Sequence, residues 1–196
     1  MKCIRNLTIL IFTIALSGCS VFGQESVEVA PYKVLEKSEP YELRHYESMV
    51  LITASMGGLD DQKSPFYKLF GYISGDNKQE KEIPMTAPVF MDQSDTVMET
   101  MSFVLPKEYD FKSSPIPTDK SIKLEEVINY TVATITFNGT LRQDNIQKHT
   151  SLLEQWIKEK NYQVIGSKKV AGYNPPFTIP MLRRNEVLIP VEKPKK

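Results

Sequence analysis

Cysteine is nearly absent from this 196-residue chain: there are two, Cys3 and Cys19, both before residue 20. The body of the chain therefore has no disulfide framework, no thiol nucleophile and no Cys-rich metal site. Histidine is as scarce, with only His45 and His149. Neither sign of charge is in excess, 24 Lys and Arg against 24 Asp and Glu, which argues against nucleic acid as a partner. The 9 glycines form no phosphate-cradling loop, and neither Gly-x-Ser-x-Gly nor His-Glu-x-x-His occurs. No carboxylate stands in an apolar run that would raise its pKa. These absences lead us to expect no catalysis. Long apolar runs are also missing: Leu7–Leu16 rises only about 15 Å as a helix, half of a hydrocarbon core, too short for a stable span.

That short run has a telling context. Met1-Lys2-Cys3-Ile4-Arg5 is basic, the run is uncharged, and Leu16-Ser17-Gly18-Cys19 follows. A basic start, an apolar centre and small residues at the cut make a secretory signal. The last four residues resemble the bacterial lipobox, whose Cys becomes the acylated first residue of the mature chain; the alternative is a plain signal peptide with an incidental Cys. Two or three acyl chains anchor firmly where one holds marginally. We expect a signal peptide over 1–18, a lipidated tether over 19–30 and one domain over 31–196. The expected location is the bacterial cell envelope, in the outer membrane if the host is Gram-negative, because Ser20 rather than Asp follows Cys19. Without Lys2 and Arg5 the mature chain keeps 22 basic residues against 24 acidic ones.

Along the domain, Tyr32–Glu36, Tyr41–Glu47 and Ser48–Met56 read as strands rich in Tyr, Val, Leu and Ile. Ser64-Pro65 opens a helix with Ser64 as N-cap and Pro65 at its first position. Phe66, Leu69, Phe70 and Ile73 share one face of it. Glu82–Met91, EIPMTAPVFM, is strand-like despite two prolines. Pro84 and Pro88, four apart, would withdraw donors from one side of a strand that pairs fully only on the other. Thr100–Leu105, Ile122–Val127 and Tyr130–Phe137 are further strands. A helix from Gln143 to Lys160 carries the stripe Ile146, His149, Leu153, Trp156 and Ile157. Tyr162–Gly172 and Glu186–Val191 close the list. Strands, helix and proline-bearing strand occur twice in the same order, a weak sign of duplication. The alternating strands favour an α+β fold with a largely antiparallel sheet.

Three stretches together are distinctive. They are Tyr41-Glu42-Leu43-Arg44-His45-Tyr46, then Phe70–Asn77 with Ile83-Pro84-Met85-Thr86-Ala87-Pro88-Val89, then Gly172-Tyr173-Asn174-Pro175-Pro176 with Arg183-Arg184-Asn185-Glu186-Val187. They resemble the SOUL/haem-binding protein family over about residues 31–192. The resemblance implies a distorted antiparallel β-barrel of two pseudo-symmetric halves, each with one packed helix. It also implies a tetrapyrrole ligand and two rival sites. In one branch of the family haem lies in an apolar cleft along the first helix; the matching positions are Lys63, Phe66 and Phe70, while Gly71 and Thr178 stand where that branch has lysines. In SOUL-type members the His matching His45 has been proposed as the axial ligand of haem iron.

Each residue also has a plainer reading. Phe66 and Phe70 would be helix core, His45 a rim residue, His149 a core-margin histidine, and Arg183, Arg184 and Glu186 a structural ion-pair cluster. The expected function is an envelope lipoprotein that binds haem or a related tetrapyrrole without catalysis. The alternative is a structural or interaction lipoprotein of the same fold that binds no porphyrin. A hydrolase is a more distant expectation, resting on barrel-type analogy alone.

Overall fold

The computed structural model describes residues 27–55, 64–93 and 98–194. Cys19, Met56 and Lys63 lie outside them. The elements in chain order are β1 (Glu28–Val29), β2 (Lys33–Ser38), β3 (Tyr41–Ser55), α1 (Pro65–Ile73), β4 (Thr86–Ala87), β5 (Val89–Gln93), β6 (Met98–Val104), β7 (Ile122–Phe137), α2 (Gln143–Glu159), β8 (Gln163–Val164), β9 (Lys169–Gly172) and β10 (Asn185–Glu192).

Six strands close an antiparallel barrel in the order β3-β6-β5-β9-β10-β7, with β7 returning to β3. The pairing has the two-fold logic expected from the sequence. β3 pairs with β6 as β7 pairs with β10, and β5 pairs with β6 as β9 pairs with β10. The halves meet through the like pairs β3–β7 and β5–β9. β2 lies outside the ring against the first half of β3. The folded part takes in residues assigned above to the tether: Glu28 and Val29 pair in parallel with Thr86 and Ala87, and Ala30 is buried.

Side-chain alternation explains where the core sits. One cluster draws Leu51, Phe90, Val104, Val132, Ala171 and Leu188 from the six strands, with Tyr46 and Ala30, and fills the barrel interior. Small barrels are filled in this way rather than hollow. Two outer clusters lie beneath the helices. α1 covers Val50, Ile52, Ala54 and Phe103 with Leu69, Tyr72 and Ile73. α2 covers Leu43, Ala133, Ile135 and Val187 with Ile146, Leu153, Trp156 and Ile157.

β3 and β7 are each continuous, where the sequence suggested two strands apiece. The reason is a change of phase. On β3, Arg44 and Tyr46 belong to the interior, then Met49 and Leu51; Glu47 and Ser48 between them are exposed. On β7 the interior phase passes from Val127 to Tyr130 at the same level, across Asn129, whose φ is +51°. A two-residue period that slips once reads locally as a strand end.

EIPMTAPVFM is likewise not one strand. Pro84 and Met85 precede β4, and Pro88 lies between β4 and β5. β5 pairs on both edges, with β6 and β9. The one-sided strand expected above is therefore corrected: Pro84 stands before the pairing with β1 begins and Pro88 where the chain leaves it for the barrel, so neither removes a ladder donor. Tyr162–Gly172 also divides, into β8 and β9. A Cβ on Gly166 between them would come within 3.2 Å of Pro190 Cγ.

The helices differ slightly from their expected stripes. Ser64 stands at the N-cap of α1 with no side-chain capping bond; its carbonyl accepts from Tyr67 N–H at 3.0 Å. The buried line of α1 is Leu69, Tyr72 and Ile73, which leaves Phe66 and Phe70 at the margin. In α2, Thr150 takes the buried place expected for His149 and donates to the Ile146 carbonyl at 2.9 Å. His149 stacks on Phe137 at the edge of the core, centroids 4.2 Å apart, and donates from Nδ1 to the Asn145 carbonyl. Leu153 is fully buried beneath α2. Leu153→Ala should destabilise the domain by about 2–5 kcal/mol, read as a lower urea midpoint at unchanged m-value.

Candidate functional site

The interior cluster packs between the strands, and the described residues also form open grooves on the outside of the barrel. One of them lies at the margin of α1. Phe66 and Phe70, one helical turn apart, stack with centroids 6.0 Å apart, and Phe66 also meets Phe103 edge-on at 5.6 Å. Phe103 anchors the pair to the barrel wall, so Phe66 is held while Phe70 reaches outward, 45% exposed. Across from it stands Met85, 43% exposed. Between them runs a groove of about 520 Å³ lined by Phe70, Ile73, Ser74, Ile83, Pro84 and Met85, with Glu82. Cofactor sites typically occupy roughly 300–1,000 Å³ and are mainly apolar. The Ile-Pro-Met segment thus forms a wall of the groove, a role the sequence reading did not assign to it.

The charges around α1 are less favourable to an anionic ligand. Asp76 lies close over Gly71: a Cβ on Gly71 would meet Asp76 Oδ2 at 2.7 Å. Glu82 places a carboxylate at the groove, and Asp76 stands on the neighbouring surface with Tyr67 and Lys68. The arrangement suits the apolar face of a flat macrocycle and offers little to carboxylate substituents.

His45 points away from the interior, because Arg44 and Tyr46 on either side occupy it. It is half-buried between Lys33 on β2 and Thr131 on β7. Its Nδ1 lies 2.9 Å from Thr131 Oγ1. The neighbouring Lys33 and Glu47 form an exposed ion pair, so the surroundings are polar. The structure does not bring His45 together with Phe66 and Phe70. Its strand position puts it on the outer face of the β2–β3–β7 region, whereas α1 covers the other half of β3.

The densest polar cluster lies at one end of the barrel. Glu186, fully buried, accepts a two-pronged bond from Arg44 Nη1 and Nη2 at 2.7 and 3.0 Å. It also accepts from Arg184 Nη2 at 2.8 Å, Tyr173 Oη at 2.8 Å and Thr136 Oγ1 at 3.2 Å. Arg44 gives its Nε to Glu42 at 2.7 Å and lies 4.3 Å from the Tyr32 ring centre. Burial alone would raise the Glu186 pKa, but the bonds and charge from Arg44, then Arg184, outweigh it and hold the carboxyl below its ordinary range. Two arginines and two carboxylates cancel, and both Glu186 oxygens are saturated. This is a structural pin, as expected for Arg184 and Glu186. Arg183 turns away to bond the Thr178 and Pro176 carbonyls. The partner missed from the sequence is Arg44, whose only signal is a charged residue in phase with inward-facing Tyr46.

No group of three His, Cys, Asp or Glu side chains among the described residues is placed to hold a metal ion. The fold and site describe a small closed barrel with two flanking helices and a surface groove along the first of them. The family model for the SOUL heme-binding protein matches residues 27–190, and the chain belongs to that family. It is 30% identical over 188 residues to heme-binding protein 2 of Homo sapiens, covering 88% of this chain and 90% of that one. It is 29% identical over 181 residues to heme-binding protein 1 of Sus scrofa, covering 86% and 94%. Among solved structures, the EcmrR C-terminal domain aligns with a TM-score of 0.56 at 16% identity, covering 83% of this chain and 98% of that one. A hydrolase from Listeria innocua aligns at 0.56 and 10% identity, covering 81% and 94%. At such identities these two neighbours share the fold alone.

Proposed function

We propose that the protein is a lipid-anchored envelope protein whose barrel binds haem or a related tetrapyrrole, reversibly and without catalysis, in the groove along α1. The observation that carries this reading is the groove between Phe70 and Met85, with two large apolar side chains held out of the core. Family membership and relatives that bear the name heme-binding protein support it. Phe66 and Phe70 would lie against the macrocycle, and Met85 and Pro84 would close its other side. Haem would supply there its iron and its visible chromophore; the chain's own residues exclude water from the ring and orient it.

Affinity should be modest. With lysines absent at Gly71 and Thr178, two charge-assisted bonds of about 1.5–3 kcal/mol each are missing, so binding is weaker by roughly 100-fold or more than in a fully basic cleft. Titrating haemin into the purified mature protein tests the reading. A Soret change that saturates at one haemin per chain is the expected result. No saturable change would leave the same barrel as an interaction lipoprotein without porphyrin, the second reading, which the carboxylates of Asp76 and Glu82 favour.

The anchor has its own test. Cys19→Ala should release the protein from membranes or block its processing. A fully processed Cys19→Ala chain that partitions like the parent would overturn the lipid anchor.

A further inference from the structure

The loop from Tyr173 to Arg184 exposes more apolar side chain than any other short described segment. Phe177 is 86% exposed, Met181 78%, Leu182 69% and Ile179 59%. A loose loop would fold such residues back. This one is held open by its own bonds. Arg183 Nε donates to the Thr178 carbonyl at 2.8 Å, and Thr178 N–H donates to the Pro175 carbonyl at 3.0 Å. Gly139 N–H donates to the Pro180 carbonyl at 2.9 Å, and Asn138 Nδ2 to the Arg183 carbonyl at 2.9 Å. These bonds pin the loop's backbone at both ends and in its middle, and the four side chains face outward. The sequence agrees: from Lys160 to Asn185 there is no Asp or Glu, and the loop ends in two arginines.

The position of the loop says what covers it. β9 ends at Gly172, which pairs with Val89 at the start of β5. A few residues before Val89, Thr86 and Ala87 pair with Glu28 and Val29. Arg184 Nη2 reaches the Tyr32 hydroxyl at 3.4 Å. The N-terminal segment therefore crosses the end of the barrel on which the loop stands. From Val27 back to Cys19 is eight residues, a reach of at most about 28 Å when fully extended.

We propose that Phe177, Ile179, Met181 and Leu182 dip into the interface of the bilayer that holds the acyl chains of Cys19, and that this second contact orients the barrel on the membrane. The proposal rests on the lipid-anchor reading. Exposed aromatic and aliphatic side chains beside a basic one, here Arg183, with no acidic group in the loop, are the composition that seats a surface segment at an anionic headgroup layer.

The test uses the mature lipidated protein reconstituted in phosphatidylethanolamine–phosphatidylglycerol vesicles, some carrying bromine on the acyl chains. The parent's one tryptophan, Trp156, is buried under α2 and should not be quenched by bromine. Phe177→Trp should emit at shorter wavelength with vesicles and lose about half or more of its added emission to bromolipid. Adding Met181→Asp and Leu182→Asp to that variant should abolish the quenching at unchanged melting temperature, since these positions touch little core. Absence of quenching in the anchored Phe177→Trp protein would overturn the proposal. Mass spectrometry for acyl chains on Cys19 separates the two readings. If none are present the anchor fails, and quenching on simple mixing with vesicles then decides for the loop, its absence against.

Discussion

Arg44→Met should lower the stability of the domain by about 3–5 kcal/mol at neutral pH, the cost of stripping a buried charge of its partner. For a domain of this size that is a fall of roughly 6–20 °C in melting temperature. The loss arises because Glu186 stays in a water-free position with fewer donors; Arg184 remains but is itself partly exposed. The effect depends on pH in a defined sense. The Glu186 carboxyl is held below its ordinary value of 4.5: burial pushes it up, and the bonds from Arg44 and the charges of Arg44 and Arg184 pull it further down. A depressed carboxyl contributes stability that is complete above its unfolded value and disappears as pH falls through its folded one. The gap between parent and Arg44→Met should thus be widest above about pH 4.5 and narrow as the solution is acidified below it. Urea midpoints measured across pH 3–7 check this. A gap below about 1 kcal/mol that does not change with pH would show that the pin adds nothing to the fold.

Phe70→Asp should abolish haemin binding, while His45→Ala leaves it unchanged. The aspartate would set an unpaired charge against the macrocycle at a cost of several kcal/mol, a loss of about 100-fold or more. Folding should survive, because Phe70 is already 45% exposed and lies at the edge of the α1 core rather than within it. Its melting temperature should stay within a few degrees of the parent's, which makes the loss of binding readable. His45 stands among polar neighbours on the outer face, with Nδ1 at Thr131. If His45 nonetheless ligated iron, His45→Ala would shift the Soret band even at similar affinity, because axial ligands set the spectrum of haem iron. A shifted band in His45→Ala together with a silent Phe70→Asp would move the site from α1 to β3. Silence of both variants would remove both sites and leave the non-binding lipoprotein.

Much of the architecture was legible locally. The two helices, their starting points and most of their buried stripes follow from periodicity and from Pro65 at the first position of α1. The doubled order of elements matches the two-fold pairing of the barrel. The α1 margin was legible for a similar reason: Phe66 and Phe70 are four residues apart, so they share a face in any helix. Less legible was how far that face turns from the core. Periodicity places side chains around an axis, and only the neighbouring sheet decides which part of the circle is covered.

What the sequence by itself determined is whatever depends on residues a few positions apart. This covers strand and helix character, the lack of cysteine after residue 19, the lipobox pattern before Ser20, and family membership through three separated motifs. What only the tertiary structure decided depends on residues far apart in the chain. Arg44 and Glu186, 142 positions apart, meet as a buried pair. β3 and β7 run through their phase slip as single strands because each supports the other at Tyr46 and Tyr130. Pro88 is tolerated because β1, drawn from the N-terminal segment, takes the pairing before it. Local pattern sets which conformations a segment favours; closure of the barrel sets which partners it finds, and partners determine where a charge can be buried and where an apolar side chain must stay exposed.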